Sequence, residues 1–268
     1  MRFKNTIRRI AVIVGICLCL YPLLSSVVEE EHLKHVVSTY ESNVKKIKEE
    51  EIEQMLHDAE EYNSSIASVV RGEKWNKKGY GELLNLSGTG IMGTIEIPKI
   101  SVNLPIYHGT TEEVLSIGIG HLEGTSLPVG GNDTHSILTG HRGVPNSKLF
   151  TRLDELEKGD LFYIRVGNKT LAYQVNEIKV IKPEAAEELS IKTEKDMVSL
   201  ITCTPYGINS HRLVVTGERT QYKDAEYLAI EPRAASIREI GFILLPCIMV
   251  GAVTAKYIKE RKERKCAK

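Results

Sequence analysis

The chain has 268 residues, 42% of them hydrophobic, and it balances 35 lysines and arginines against 35 aspartates and glutamates. This length and apolar content are enough for one substantial core with a helical appendage. The lack of a basic excess and an aromatic content of 6% argue against a nucleic-acid partner.

Each end of the chain carries an apolar run with basic residues on its terminal side. Four basic residues precede the run at 10–24, and a lysine- and arginine-rich tail follows the run at 240–255. The first run predicts an N-terminal signal or anchor over 1–28. We favour an uncleaved anchor, and a cleaved signal peptide is the alternative. The second predicts a transmembrane span over 237–257, with a buried helix as the alternative.

Two spans would give a two-pass protein of the cell membrane. The basic flanks place both termini in the cytoplasm, including the tail at 258–268, by the positive-inside rule. Residues 29–236 then lie on the extracellular face.

A helical stalk is predicted after the first span. Residues 29–70 are rich in Glu and Lys and contain no Gly or Pro. Apolar residues recur at steps of three and four, which predicts one long amphipathic helix or two shorter ones. We expect the stalk to fold back onto the globular domain, and a coiled coil is the alternative. The apolar stripe comprises Leu33, Val37, Tyr40, Val44, Ile47, Met55, Leu56, Ala59, Tyr62, Ile66 and Val69.

A glycine-rich break at 71–90 separates the stalk from the next region and contains Trp75, the single tryptophan. An aromatic residue in such a segment either plugs a pocket or docks on the neighbouring surface. Residues 29–89 therefore combine the stalk with this break.

From residue 90 to 220 the pattern changes to short strands. Runs of β-branched residues alternate with turn residues, which predicts seven or eight strands in a mainly β domain and favours a closed barrel over a layered α/β fold. Strands at 161–166 and 169–175 pair across Gly167 and Asn168. A separate strand is predicted at 178–181, a loop at 118–134 and a linker at 221–236.

Cys203 is the one cysteine outside the predicted spans and tail. Exported domains usually pair their cysteines, so a solitary one indicates a reactive thiol, with a small buried hydrophobe as the alternative. Cys203 directly follows the predicted strand at 198–202, and Arg212 directly precedes the one at 213–215. The thiol and the guanidinium therefore lie at the two ends of one turn.

Thiol chemistry on an acyl group also requires a proton donor and acceptor. His141 is the best candidate because it follows a buried strand and Gly140; a surface-loop histidine is the alternative. His211 neighbours Arg212 and should point to the opposite face. Arg212 stays charged and can stabilise an oxyanion, or else form a structural salt bridge. A metal site is disfavoured because Cys203 has no CxxC partner.

Two sequence blocks around these residues resemble the signature motifs of sortases, and the class C, pilus-assembling group matches best. The blocks are LTGHRG at 138–143 and TCTPYGINSHR at 202–212. GIMG at 90–93 and GHLEGTSLP at 120–128 also resemble that group. The resemblance covers residues 88–217 and implies an eight-stranded sortase-type β-barrel with short helices.

The resemblance also implies a cysteine transpeptidase without a cofactor. Cys203 would attack the Thr–Gly carbonyl of an LPXTG-like sorting signal on a pilin, and a lysine amine of the next pilin would resolve the thioacyl enzyme. His141 would act as acid and then as base, and Arg212 would hold the substrate or the oxyanion. Thr139 and Thr202 would shape the substrate pocket. The partners would be pilin subunits and the membrane.

Two other functions fit the same residues. A membrane-anchored thiol peptidase would pass the acyl group to water, and a non-catalytic surface scaffold would only bind a pilin or wall component.

A lid is the one part of the resemblance from which the chain departs. Class C sortases usually place an Asp-Pro pair and an aromatic residue over the active site. No proline occurs between Pro22 and Pro98, so an Asp-Pro lid cannot exist. Trp75 would be a degenerate plug, and we expect a site that is open or loosely covered.

Overall fold

The computed structural model describes residues 2–70, 79–85, 88–144, 147–185, 189–233, 240–241, 244, 247–256 and 259. The chain divides into two compact units, one of residues 30–233 and one of residues 1–29 with 234–268. The predicted plug Trp75 lies outside the described residues.

Eight strands form the larger unit's closed barrel, as predicted for a mainly β domain. They are β1 (Ile91–Ile97), β2 (Val102–His108), β3 (Ile119–His121), β4 (Thr134–Thr139), β5 (Leu161–Val166), β6 (Lys169–Ile181), β7 (Asp196–Thr204) and β8 (His211–Thr220). Their order around the barrel is β1-β2-β3-β4-β7-β8-β6-β5. The β2–β3 and β4–β7 pairs are parallel and the other neighbours antiparallel.

Apolar side chains on alternate strand positions fill the barrel, because successive residues of a strand point to opposite faces. Phe162 and Tyr173 are fully buried cross-strand partners whose ring centroids lie 5.5 Å apart. Val198 and Leu200 of β7 belong to the same cluster. A smaller second cluster contains Ile201, one position further along β7. The strand therefore presents apolar side chains to both of its faces.

Two strand predictions differ from the structure. β6 is one continuous strand with an irregularity between Val175 and Glu177, where the sequence predicted two strands. β3 lies within the predicted loop at 118–134. Its three residues are too few for a recognisable alternation, and it forms because β2 and β4 pair with it on either side.

The described residues include the helices α1 (Arg2–Val44), α2 (Glu49–Val70), α3 (Glu112–Ile117) and α4 (Asp224–Leu228). The predicted stalk is thus two helices. The stripe residues that belong to the cluster that fills the barrel are Leu33, Tyr40, Val44, Leu56, Ala59, Tyr62 and Ile66, and Ile47 and Met55 pack against it. Asn63 on α2 exchanges two hydrogen bonds with the backbone of Leu127, at 3.0 and 2.6 Å. The expectation that the stalk folds back onto the domain is confirmed.

The second unit contains α1 up to residue 29 and the helical residues 247–256. Among the described residues, no helix combines the length and the apolar character that crossing a membrane requires. The two transmembrane spans predicted from the sequence are therefore unconfirmed.

The buried His121 of β3 is hydrogen-bonded to Tyr80. His121 Nε2 lies 2.8 Å from the Ser126 carbonyl oxygen, and its Nδ1 lies 2.8 Å from the Tyr80 hydroxyl. A carbonyl only accepts, so Nε2 carries the hydrogen and Nδ1 accepts from Tyr80. This arrangement needs a neutral ring, and burial lowers the pKa of His121 to about 4.

We expect His121 to make the fold sensitive to acid. Its pKa is about 4 in the folded chain against an ordinary value of 6.5, so the unfolded chain binds the extra proton as the pH falls from 6.5 to 4. The stability that the neutral His121 contributes is fully present above pH 6.5. The free energy of unfolding falls by about 3 kcal/mol as the pH decreases from 6.5 to 4. Urea midpoints of the full chain and of His121→Gln, measured from pH 7 to 4, should converge at low pH. Parallel curves would contradict this role.

Candidate active site

Strand pairing brings Cys203, His141 and Arg212 into one row across the sheet. β4 runs parallel to β7 with Thr139 opposite Ile201, and His141 and Cys203 each follow two residues later. β8 runs antiparallel to β7 and places Arg212 directly opposite Cys203. Neighbouring strands lie about 4.8 Å apart, and residues directly opposite share a face. The half-buried thiol of Cys203 is unpaired with any other cysteine. Arg212 is the cross-strand neighbour of Cys203, and the register of β4 places His141 at the same level on the other side.

The alignment of β4 with β7 continues beyond the last residue of β4. The backbone N–H of Gly140 donates to Ile201 at 3.0 Å, and the Thr202 hydroxyl donates to the Gly140 carbonyl at 2.8 Å. Both bonds hold residue 140 beside β7, so His141 leaves the sheet at the level of Cys203. Thr202, predicted to shape the substrate pocket, is 1% exposed and makes this internal contact.

Close packing explains the glycine before His141. A Cβ atom at Gly140 would lie 2.7 Å from Ile119 Cδ1 and 2.8 Å from Phe150 Cδ2. Phe150 is fully buried, and its backbone N–H donates to the His141 carbonyl at 3.1 Å. Only glycine lets the chain pass between these two side chains.

The imidazole of His141 contacts a carboxylate that sequence reasoning did not find. His141 Nε2 lies 3.2 Å from Oε1 of Glu112 in the first turn of α3. The Glu112 side chain is 82% exposed and that of His141 is 26% exposed. Solvent weakens such an exposed pair, so Glu112 orients the ring only loosely. Thr111 caps α3 and marks its start in the sequence, but no local signal links α3 to His141.

The guanidinium of Arg212 is held by its own turn. Its Nη1 donates to the backbone carbonyls of Asn209 at 3.3 Å and of His211 at 3.1 Å. His211 pairs with Thr204 and is bonded to the Ser210 hydroxyl at 2.9 Å. The neighbouring positions 211 and 212 therefore face opposite sides of the strand, as predicted.

The other candidate histidines of the barrel have structural partners. His135 is buried between the Ser190 carbonyl, at 3.0 Å, and the Ser199 hydroxyl, at 2.8 Å. Desolvation lowers its pKa. Both ring nitrogens of His108 lie near backbone carbonyls, 2.7 Å from Leu83 and 3.2 Å from Gly90. With His121 also engaged, His141 is the barrel histidine that lies in the row with the thiol.

The face that carries the row continues into the smaller apolar cluster. The next row on this face lies two residues further into the sheet. It consists of Thr139 opposite Ile201 and Ile201 opposite Val214. Thr139 is half-buried, whereas Ile201 and Val214 are buried in the cluster. The row that carries the thiol therefore borders a buried apolar cluster, and a pocket role for Thr139 stays a prediction.

Arg142 is a further residue near the site that the sequence did not indicate. Its guanidinium lies 3.4 Å from the Cys203 carbonyl oxygen, 3.1 Å from Thr204 Oγ1 and 2.5 Å from Asp154 Oδ2. Arg142 directly follows His141, and successive residues of an extended chain point in opposite directions. The sequence could therefore have predicted that the Arg142 side chain points away from that of His141, but not which partners it contacts.

This arrangement suits acyl transfer. A thiolate can attack a carbonyl carbon, an imidazole at the same level can move the proton of a leaving or entering group, and a fixed guanidinium can stabilise the oxyanion that develops between them.

Comparison with known proteins gives one consistent result. The family model for the sortase domain matches residues 95–220. Sortase C1 from Streptococcus agalactiae is 43% identical, with a TM-score of 0.66 over 70% of this chain and 100% of that chain. Clostridium perfringens sortase C, solved with the C-terminal cell wall sorting motif, is 45% identical, with a TM-score of 0.63 over 70% of this chain and 99% of that chain.

A curated relative agrees over a shorter region. Sortase D of Bacillus subtilis (strain 168) is 31% identical over 130 residues, which are 47% of this chain and 63% of that protein. The chain thus matches less than two thirds of this relative's length, whereas it covers nearly all of the two class C sortase structures.

We expect Gly140→Ala to destabilise the full chain by about 1–3 kcal/mol, the usual cost of overpacking a core. The added methyl group would press on Ile119 and Phe150 and displace the backbone of His141. Gly81→Ala is the control, because a Cβ atom at Gly81 meets nothing within 4 Å. Urea midpoints measure both effects, and equal midpoints for the two variants would refute the packing argument.

Proposed function

The chain belongs to the sortase family, and we propose that it is a class C cysteine transpeptidase that joins pilin subunits. The row formed by His141, Cys203 and Arg212 is the observation that supports this most directly. The class C sortases among its structural neighbours support the assignment to the pilus-assembling type.

The first half of the proposed reaction cleaves the sorting signal. The Cys203 thiolate attacks the carbonyl carbon of threonine in an LPXTG-like sequence, and Arg212 stabilises the oxyanion of the tetrahedral intermediate. When the intermediate collapses, the bond to glycine breaks and the imidazolium of His141 protonates the leaving amine. The pilin is then bound to Cys203 as a thioester, and the glycine-containing tail departs.

The second half forms a new amide bond. A lysine amine of the next pilin attacks the thioester carbonyl, and the now neutral His141 accepts its proton. The tetrahedral intermediate expels the Cys203 thiolate, which regenerates the enzyme. One peptide bond is exchanged for one isopeptide bond, so neither a cofactor nor a metal ion is required.

A buried apolar cluster supports the face on which a sorting signal would bind. Ile201 and Val214 belong to this cluster, which also contains Ile137, Ile181 and Leu189. Because these side chains are buried, their role is to hold the strands in place beside the thiol. Thr139 is half-buried at the edge of the same face and would contact the peptide while the threonine carbonyl reaches the thiol.

Membrane attachment is part of the proposal. The apolar runs at 10–24 and 240–255 and their basic flanks support two anchors, with the barrel on the extracellular face. Anchoring would keep the thiol close to pilins that are themselves exported through the same membrane.

Ligation of peptides tests the proposed function. The detergent-solubilised full chain is incubated with an LPXTG-containing peptide and a pilin domain that offers a lysine, and product masses are measured. We expect a product in which the lysine has replaced the glycine-containing tail, and none with Cys203→Ala. Release of the free acid alone would favour the hydrolytic peptidase. An inert wild-type chain that still binds the pilin would favour the scaffold.

We expect Arg212→Ala to lower kcat by roughly 10²-fold or more, the usual effect of removing one oxyanion donor. Arg212→Lys keeps the charge but loses the planar fork, so it should lie between Arg212→Ala and wild type. Arg219→Lys, which alters the Asp196 ion pair at the other end of β8, is the control and should stay within about twofold. Cleavage of a fluorogenic sorting-signal peptide measures all three. Equal rates for Arg212→Ala and Arg219→Lys would exclude an oxyanion role.

A further inference from the structure

Arg142 is an arginine buried directly beside the row. The residue is 7% exposed and its side chain 3% exposed. Arginine is almost never this buried unless its charge is paired. The guanidinium therefore needs partners inside the protein, and those partners determine where the chain around residue 142 can lie.

The partners of Arg142 come from two other segments. Nη2 lies 2.5 Å from Asp154 Oδ2, in the 3₁₀ turn Leu153–Glu155. Nη1 donates to Thr204 Oγ1 at 3.1 Å and lies 3.4 Å from the Cys203 carbonyl oxygen. The guanidinium thus bridges the end of β7 and the turn while its own backbone continues from His141.

The planar, forked shape of the guanidinium allows Arg142 to contact Asp154 and the end of β7 at the same time. Two nitrogens of a guanidinium point in fixed, different directions, so one can bind the carboxylate while the other binds the hydroxyl and the carbonyl. A lysine ammonium is a single point of charge and would have to leave one of these partners. The ion pair with Asp154, whose side chain is 27% exposed, orients the fork.

We propose that Arg142 is a positioning residue of the active site, which holds the His141 loop against the Cys203 end of β7. It touches no reacting atom; it maintains the separation at which imidazole and thiol exchange a proton. This inference rests on the function proposed above and adds to it the group that keeps its acid–base pair aligned. Displacements of about 1 Å between reacting groups are known to cost about 10²-fold in rate.

Arg152 offers a matched control for a merely structural effect. It is equally buried, at 7% exposed, and lies in the same region of the chain. Its Nε and Nη2 donate to Glu155 at 3.0 and 2.8 Å, within the turn. Arg152→Lys therefore disturbs a buried ion pair of the same turn without altering the contacts that Arg142 makes with Thr204 and Cys203.

The first experiment compares Arg142→Lys with Arg152→Lys in the full chain. We expect Arg142→Lys to lower kcat for the sorting-signal peptide by at least about tenfold with KM within about twofold, and to alter the pH profile of kcat. Arg152→Lys should leave kcat and its pH profile unchanged, even if its urea midpoint falls by as much as that of Arg142→Lys. Equal losses in the two variants would show that Arg142 acts only through stability.

The second experiment removes a single hydroxyl, so that folding is not at risk. Thr204→Val keeps the shape of the side chain but removes the acceptor for Arg142, whereas Thr204→Ser retains it. We expect slower turnover for Thr204→Val and nearly wild-type turnover for Thr204→Ser. Equal rates in the two variants would overturn the proposal.

Alkylation of Cys203 by iodoacetamide separates this inference from the proposed function, because it needs no peptide. A nearby imidazole promotes the reactive thiolate, so Arg142→Lys and Thr204→Val should slow alkylation at pH 7 while Arg152→Lys and Thr204→Ser should not. If wild type fails to cleave the peptide, the proposed function fails and alkylation alone decides the positioning role. Unchanged alkylation in Arg142→Lys would refute it.

Discussion

The parallel pairing of β4 with β7 is the constraint on which the candidate active site depends. Strands that run in the same direction end at the same edge of a sheet. Thr139 lies opposite Ile201, so the chain delivers His141 and Cys203 to that edge at one level. β8 then returns along β7 and adds Arg212 on the other side. A one-residue slip of either strand would turn one of these residues to the opposite face.

Buried polar contacts extend this alignment into the loop after β4. A loop with only exposed contacts is mobile, and a catalytic group must be held within a fraction of an ångström. Thr202 binds the Gly140 carbonyl on one side of His141, and Arg142 binds the end of β7 on the other. The histidine is thus held between two internal contacts, and its exposed contact with Glu112 contributes little.

Part of the N-terminal helical region belongs to the core of the barrel unit. Leu33 of α1 and Leu149 of the loop are members of one apolar cluster, and Glu30 forms an ion pair with Lys148 at 3.0 Å. Half-exposed ion pairs contribute little, so burial in the cluster stabilises this arrangement more than the ion pair does. From residue 30 onward, α1 and α2 are therefore a part of the domain's core.

The sequence itself determined the barrel class and the helical stripe, and it indicated Cys203, His141 and Arg212 as the candidate site. Alternation, helical spacing and turn residues are local features, and the sequence shows that Cys203 is the one cysteine between the two apolar runs and before the tail. The tertiary structure alone decided the short strand β3, the continuity of β6, the inward turn of Arg142 and the burial of Thr202. Each of these depends on a partner far away in the chain: β3 exists because β2 and β4 flank it, and Arg142 is buried because Asp154 and Thr204 satisfy its charge. Such pairings leave no periodic or compositional trace, and they arise only when the barrel closes.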